Sequence, residues 1–153
     1  RDNHPSEKRV VPYQSCRQCG DSRFIVFTLP PYTKNGRKEI GKMAKVYFFD
    51  CGLRNALIDN FQPMEMRADQ GALFENLVVS EAYKANMYGR YGYQLHFWRT
   101  TDGSEVDLVL VKGNDLMGLE IKSSWHGAGR TNRAFTHRYP SATLAIVSPR
   151  NYL

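Results

Sequence analysis

Residues 105–124, EVDLVLVKGNDLMGLEIKSS, form two apolar segments around a turn, and both segments carry charged residues. Asp107 stands within a run of valines and leucines, and Glu120 and Lys122 flank Ile121 in the second segment. A charged group inside a buried strand destabilises the fold unless it is paired or binds a metal. The pattern predicts two adjacent strands whose acids and lysine serve a function besides packing.

Alternation of side chains along each strand sets which of these residues share a face. On this rule Asp107 shares a face with Val109 and Val111, and Glu120 shares a face with Lys122. A suitable register between the two strands then brings Asp107 beside Glu120 and Lys122 on one side of the sheet.

The 153 residues fit a single α/β domain with a central mixed sheet flanked by helices and an N-terminal β-hairpin extension. An irregular arm precedes a hairpin over 24–50, whose turn is Asn35-Gly36. The remaining predicted elements are helices at 52–58 and 69–89, a strand at 93–100, two strands within 105–124 that are joined at 112–115, a helix at 131–139 and a strand at 142–148.

The predicted helix at 69–89 has Asp69 as its N-cap and ends at Gly89. It carries an acidic residue on the side that its apolar residues form. Glu75 falls within the apolar arc, whereas Asn76 and Ser80 fall outside it. The arc consists of Ala72, Phe74, Val78, Val79, Ala82 and Tyr83. A carboxylate that faces a core needs a partner, and the strands beneath offer two acids and a lysine.

Two interpretations of these charges follow. Carboxylates of Glu75, Asp107 and Glu120 are hard oxygen ligands that suit Mg²⁺ or Mn²⁺, and Lys122 could orient a water or stabilise negative charge during phosphodiester hydrolysis. Alternatively, Glu75 and Lys122 form a buried ion pair, and Asp107 and Glu120 lie at solvated strand ends.

The charge balance favours a polyanionic partner such as nucleic acid. Lysine and arginine number 21 against 15 acidic residues, a net charge of +6. Arg130, Arg133 and Arg138 crowd the 131–139 helix and its approach, and Trp125 and His126 follow the Glu-x-Lys segment. These five residues are the predicted nucleic-acid contacts; the alternative is an ordinary solvated surface.

Other sequence features indicate whether the cysteines bind zinc and in which compartment the protein lies. Cys16 and Cys19 form a single Cys-x-x-Cys without a second pair, so reduced thiols are favoured over a zinc site. Without a signal peptide or long apolar run, we expect a cytoplasmic protein without a membrane partner. The chain begins at Arg1 rather than at methionine, so we expect either a fragment or a chain that lacks upstream sequence.

Glu-Val-Asp at 105–107 and Glu-Ile-Lys at 120–122, preceded by a helix that carries Glu75, resemble the active-site pattern of PD-(D/E)XK nucleases. The resemblance implies a restriction-endonuclease-like fold. It also implies that Glu75, Asp107 and Glu120 hold Mg²⁺ or Mn²⁺, and that Asp107, Glu120 and Lys122 act in catalysis. Val106 stands where the pattern has its proline.

A wider resemblance spans residues 24–153 and rests on several separate segments. PPYTKNGRKEIGKMAKVYFFDCGLRNALI, GALFENLVVSEAYK, FWRTTDGSEVDLVL and LEIKSS are similar to the C-terminal domain of unknown function of bacterial AAA-type ATPases. This implies that 1–45 is an arm and hairpin that end a winged-helix-like connecting segment, and that 46–153 is the nuclease-like domain.

The same resemblance implies an AAA-type ATPase module as a partner, in cis or in trans. The module is absent from this chain, because the P-loop-like spacing at 36–43 ends on Met43 instead of serine or threonine. The expected function is metal-dependent hydrolysis of nucleic-acid phosphodiester bonds. The alternative is a non-catalytic DNA- or protein-binding module of an ATPase.

Overall fold

The computed structural model describes residues 25–33, 43–124 and 132–152. Its strands are β1 (Val26–Leu29), β2 (Lys45–Phe48), β3 (Gln94–Arg99), β4 (Glu105–Lys112), β5 (Asp115–Ile121) and β6 (Thr143–Val147). Its helices are α1 (Cys51–Leu57), α2 (Gln70–Tyr88) and α3 (Arg133–Arg138), with a 3-10 turn at Met64–Met66. The predicted order of helix, three strands, helix and strand is confirmed.

The strands form two sheets, which confirms a mixed α/β architecture. β1 and β2 make an antiparallel pair in which Leu29 lies opposite Lys45, as the predicted hairpin requires. The larger sheet has the order β3-β4-β5-β6 and is mixed, because β3, β4 and β5 are antiparallel whereas β6 runs parallel to β5. The predicted turn at Asn35-Gly36 lies outside the described residues, as do Cys16, Cys19 and the N-terminal arm.

A β-bulge in β4 changes the side of the sheet on which Asp107 lies. His96 of β3 pairs with Val109 and Trp98 pairs with Val106, so β4 carries one more residue than β3 between these pairs. Val106 and Val109 therefore belong to the same buried cluster, around Phe135 of α3. The prediction that Asp107 shares a face with Val109 is wrong, because the extra residue breaks the alternation.

The opposite side of the sheet packs against α2 and the hairpin. Leu108 belongs to this larger core, in which it is fully buried, and Ile121 of β5 lies there too. The Asp107 side chain lies on the same side of the sheet, since its carboxylate is near Lys45 of β2. The remaining buried members of this core are Phe27, Leu29, Tyr47, Phe74, Val78, Val79 and Phe97.

The helix α2 is buried on a wider surface than its apolar arc predicts. Asn76 and Ser80, placed outside the arc, are both buried. The N–H of Phe48 donates to Asn76 Oδ1 at 2.8 Å, and Asn76 Nδ2 donates to the Phe48 carbonyl at 2.9 Å. The hairpin thus covers a second face of α2, and a polar side chain is tolerated there because it satisfies backbone groups.

Asp69 stands at the N-cap position of α2, as predicted, but its carboxylate does not cap the helix. It accepts hydrogen bonds from Arg67 Nε at 2.9 Å and Arg54 Nη1 at 2.8 Å instead. These guanidinium groups hold the pKa of Asp69 well below its usual range. The contacts tie α1 to the start of α2. Within the described ranges, no helix is both long and apolar enough to cross a membrane.

Candidate active site

Glu75 of α2 finds its partners on the hairpin. Its Oε1 atom accepts hydrogen bonds from Tyr47 Oη at 2.6 Å and from Lys45 Nζ at 3.0 Å. Burial and the neighbouring Glu75 raise the pKa of the Tyr47 hydroxyl, so it stays a proton donor. Among the described residues Glu75 pairs with Lys45 and not with Lys122. The alternative of a Glu75–Lys122 ion pair is wrong.

Lys45 lies among three carboxylates. Its ammonium contacts Glu75 and Glu105, and lies 4.0 Å from Asp107 Oδ1. Burial lowers the pKa of Lys45, but contacts with Glu105 and Glu75 outweigh burial and leave the pKa raised. The side chain is therefore a protonated, mostly buried cation. We call Lys45, Glu75, Glu105 and Asp107 the Lys45 cluster.

Asp107 is the most perturbed acid of the cluster. Only 16% of its side chain is exposed, and Oδ2 accepts a hydrogen bond from the Ile121 N–H at 2.8 Å. Burial raises the pKa of Asp107 to about 6, against the opposing effects of the Ile121 N–H and Lys45. At neutral pH the carboxylate is thus ionised in surroundings that disfavour its charge, as is typical of functional acids.

Glu120 of β5 is hydrogen-bonded to the residue that caps α3. It is 5% exposed, its Oε1 atom accepts the Asn132 N–H at 2.8 Å, and its Oε2 atom lies 3.9 Å from Lys122 Nζ. The Asn132 side chain caps α3 through the Phe135 N–H and donates to the Glu105 carbonyl at 2.9 Å. One asparagine therefore fixes Glu120 relative to the strand that carries Asp107.

A cleft of about 600 Å³ opens beside Glu120. Lys122 lies in its wall with 52% of its side chain exposed, and its positive charge lowers the pKa of nearby Asp107. The lining residues are Ser104, Glu105, Glu120, Lys122, Asn132, Arg133 and Ala134. Glu105 lines the cleft and also contacts Lys45, so the cleft and the Lys45 cluster are adjacent.

The predicted site residues thus fall into two neighbouring groups. Glu75 and Asp107 share the Lys45 ammonium, whereas Glu120 and Lys122 line the cleft. In the part of the chain that the structure describes, no three His, Cys, Asp or Glu side chains are arranged to hold a metal ion. The carboxylates nearest one another surround an ammonium instead.

Of the predicted nucleic-acid contacts, Arg133 and Arg138 lie exposed on α3, and Arg133 also lines the cleft. Trp125, His126 and Arg130 lie outside the described residues. Lys45, Tyr47 and Glu105 were not among the predicted site residues. Glu105 could have been found, because period-two alternation places it on the face of Asp107. Lys45 and Tyr47 carry no comparable pattern.

Replacing Tyr47 with phenylalanine is expected to lower the free energy of unfolding by about 1 to 2 kcal/mol, because Glu75 loses a buried hydroxyl donor. Urea unfolding of Tyr47→Phe measures this change. Tyr88→Phe, at an exposed tyrosine of α2, is the matched control and should shift stability by less than about 0.5 kcal/mol. Equal stability of Tyr47→Phe and the unaltered chain would contradict a stabilising Tyr47–Glu75 hydrogen bond.

Comparison with known proteins places most of the chain in two family models. The model described as Domain of unknown function (DUF4143) matches residues 70–152, and Domain of unknown function (DUF8612) matches residues 21–64. The sequence-based boundary between residues 45 and 46 stays a prediction; the two matches divide the chain between residues 64 and 70.

Curated relatives include Uncharacterized protein Rv2008c of Mycobacterium tuberculosis (strain H37Rv) and Uncharacterized protein Mb2031c of Mycobacterium bovis. Each is 31% identical over 128 residues, which is 82% of this chain and 28% of the relative. This chain therefore spans under a third of the length of the curated relatives it matches. No solved structure matches the chain.

Proposed function

We propose that this chain, which belongs to the DUF4143 family of domains of unknown function, is a metal-dependent nuclease-like domain that hydrolyses nucleic-acid phosphodiester bonds. The observation that carries the proposal is the largely buried Asp107 carboxylate, which accepts the Ile121 N–H at 2.8 Å and lies near the Lys45 ammonium that Glu75 also contacts. Burial raises the pKa of this carboxyl to about 6. A carboxylate that is buried where its charge is disfavoured lowers the stability of the folded chain. Such destabilising groups are typical of active sites. The DUF4143 family is generally found with AAA-type ATPases, which supports an ATPase module as the partner.

The arrangement of elements supports a restriction-endonuclease-like fold of the PD-(D/E)XK type. α2 carries Glu75, β4 carries Asp107, and the adjacent antiparallel β5 leads through Glu120 to Lys122. The next helix, α3, leads to β6, which runs parallel to β5. A helical acid, a strand acid and a Glu-x-Lys on the neighbouring strand thus occupy the order that this nuclease pattern requires.

Carboxylate oxygens are the ligands that Mg²⁺ and Mn²⁺ prefer, although no three of the described acids are arranged around one point in this structure. The Lys45 cluster already gathers three carboxylates about one positive charge, so the local field favours a cation. Glu75 and Asp107 of this cluster, together with Glu120 from the adjacent cleft, are the proposed ligands. When bound, the ion supplies Lewis-acid polarisation of a phosphate and a water of lowered pKa.

The protein's own groups orient these ligands. The Ile121 N–H holds Asp107, and the Asn132 N–H holds Glu120, so neither carboxylate rotates freely. Hydrogen bonds of this kind orient the carboxylates that bind metal ions. The acids therefore lie in strands because strands position them accurately.

The cleft supplies the positive groups that a phosphodiester requires. Lys122 is half exposed there, where its ammonium can donate to a phosphate oxygen and stabilise developing negative charge. Arg133 lines the same cleft and Arg138 lies exposed on the same helix, so both can follow a phosphate backbone. The net charge of +6 favours such a substrate.

A second candidate function rests on a different observation. The Lys45 ammonium neutralises part of the acidic cluster, and no three described acids are arranged to hold a metal. A non-catalytic DNA- or protein-binding module of an ATPase would need no ion at this place. Metal binding therefore separates the two candidates.

Calorimetric titration with Mn²⁺ tests the proposal on the unaltered chain, Asp107→Ala and Glu120→Ala. We expect binding at millimolar or lower Mn²⁺ and a loss of at least about tenfold in affinity in each variant, because losing even a group that only orients a ligand costs about 10-fold to 100-fold. Glu65→Gln, at an exposed acid of the 3-10 turn, is the control and should bind as the unaltered chain does. A folded, unaltered chain that binds no Mn²⁺ at millimolar concentration would favour the binding module.

A further inference from the structure

The ends of several strands meet at one edge of the four-stranded sheet, where the cleft opens. Arg99 is the last residue of β3 and pairs with Glu105, the first residue of β4. Lys122 directly follows β5, and its N–H donates to the Val147 carbonyl of β6 at 2.8 Å. Glu105 and Lys122 both line the cleft. The end of β3 therefore brings Arg99 to the same edge.

Arg99 adds a cation beside the cleft. Its Nε atom contacts Glu105 Oε2 at 2.9 Å. Of the Arg99 side chain 58% is exposed, compared with 21% of the Glu105 side chain. The ion pair thus holds a guanidinium group next to the cleft and leaves most of the side chain accessible to solvent. A guanidinium group binds phosphate oxygens through several N–H donors.

The exposed charges around the cleft are positive, whereas its acids are paired or buried. Lys122 is half exposed and Arg133 is exposed. By contrast, Glu120 is almost fully buried, and Glu105 is paired with Arg99. A polyanion that approaches this edge of the sheet therefore meets cations first, and exposed cations attract such a ligand over a distance.

The amide group that could read bases in the cleft is used within the fold. Amide side chains recognise adenine through paired hydrogen bonds. Among the described lining residues, the amide is that of Asn132, which donates to the Glu105 carbonyl at 2.9 Å and accepts the Phe135 N–H at 3.2 Å. The exposed cations suit phosphate oxygens, and contacts with phosphates carry no sequence information.

We propose that Arg99, Lys122 and Arg133 bind the phosphates of a nucleic-acid strand at this cleft, and that the binding is independent of base sequence. The inference rests on the proposed function, because it takes nucleic acid as the substrate. It requires no metal ion, since the three side chains contact phosphate oxygens directly. Arg99 becomes a substrate-binding residue that the nuclease pattern does not include.

The test measures binding by fluorescence anisotropy in EDTA, so that metal-dependent cleavage cannot interfere. Two labelled single-stranded DNA oligonucleotides of equal length and unrelated sequence are titrated with the unaltered chain, Arg99→Met and Arg99→Lys. We expect Arg99→Met to bind both about fivefold more weakly at about 0.1 M salt. The slope of log affinity against log salt should become shallower by about 0.7, the contribution of one phosphate contact. Arg99→Lys keeps the charge and should restore most of the affinity.

Lys112→Met is the matched control. Lys112 lies at the other end of β4 from Glu105, about 20 Å away at about 3.3 Å per residue. Its loss should change the affinity by less than about twofold, because it lies far from the cleft. Urea unfolding of Arg99→Met should match that of the unaltered chain, since the Arg99–Glu105 ion pair is largely exposed.

The outcomes separate this inference from the proposed function. Equal affinities of Arg99→Met and Lys112→Met overturn the role of Arg99, and a strong preference for one oligonucleotide overturns sequence independence. If the unaltered chain binds neither oligonucleotide at about 50 mM salt yet cleaves in Mn²⁺, the inference fails and the nuclease function stands. If binding responds to Arg99→Met as expected but no cleavage follows in Mn²⁺, the inference stands and the nuclease function fails.

Discussion

Asp107→Asn is expected to stabilise the folded chain at pH 8 by about 1 to 3 kcal/mol. Burial raises the pKa of Asp107 from 3.8 to about 6, and each pKa unit corresponds to about 1.4 kcal/mol. Asparagine has nearly the same shape, and its amide oxygen can still accept the Ile121 N–H. The variant removes the energetic cost of an ionised, buried carboxylate.

The pH dependence has a definite sign. Because the folded-state pKa lies above the unfolded value, the folded chain binds more protons between about pH 4 and 6. The stability that comes from the neutral acid is present in full below about pH 4 and is lost as the pH rises through about 6. The advantage of Asp107→Asn should therefore vanish near pH 4 and be complete above pH 7.

Urea unfolding of both chains at pH 4, 6 and 8 measures this difference. Asp115→Asn, at the exposed first residue of β5, is a matched control and should change stability by less than about 0.5 kcal/mol at each pH. An Asp107→Asn variant less stable than the unaltered chain at pH 8 would show that the ionised carboxylate stabilises the fold through Lys45. Asp107 would then be a structural residue.

Lys122→Met is expected to reduce phosphodiester cleavage by about 100-fold to 1000-fold, the effect typical of removing one group that stabilises transition-state charge. Its side chain is half exposed and lies 3.9 Å from Glu120, so the substitution should leave the free energy of unfolding almost unchanged. Cleavage of an end-labelled oligonucleotide in Mn²⁺, under single-turnover conditions, measures the rate.

Lys112→Met provides the control for this substitution. Lys112 ends β4 and is exposed, and its ammonium lies over the ring of Tyr93 rather than in the cleft. Its loss should change cleavage by less than about threefold, since it carries one of many surface charges. Full activity in Lys122→Met would show that Lys122 takes no part in catalysis. The cleft would then lack the catalytic cation that we propose.

Local patterns in the sequence predicted most of the elements. Asn35-Gly36 and the prolines indicated the hairpin, and the spacing of Phe74, Val78 and Val79 indicated α2. Both rest on interactions between residues close in sequence. The sequence also identified Glu75 and Asp107 as unusual acids, because each interrupts an apolar pattern that is otherwise regular.

The partners of those acids could not be predicted in the same way. Lys45 lies 30 residues before Glu75 in sequence, and only the docking of β2 on α2 brings the two together. The bulge in β4 carries no glycine or other local mark, yet it moves Asp107 away from the face of Val109. Tertiary contacts determine both the Lys45–Glu75 pair and the position of Asp107. They also bury Asn76, which lies outside the apolar arc of α2.

The metal dependence of nucleic-acid cleavage by the unaltered chain and by Asp107→Asn tests the proposed nuclease function. End-labelled single-stranded and double-stranded DNA and RNA would be incubated with each chain in Mn²⁺ or in EDTA. We expect the unaltered chain to cleave in Mn²⁺ and not in EDTA, and Asp107→Asn to cleave in neither. Intact substrates throughout, at concentrations where calorimetry shows bound Mn²⁺, would contradict the nuclease function and favour a binding module.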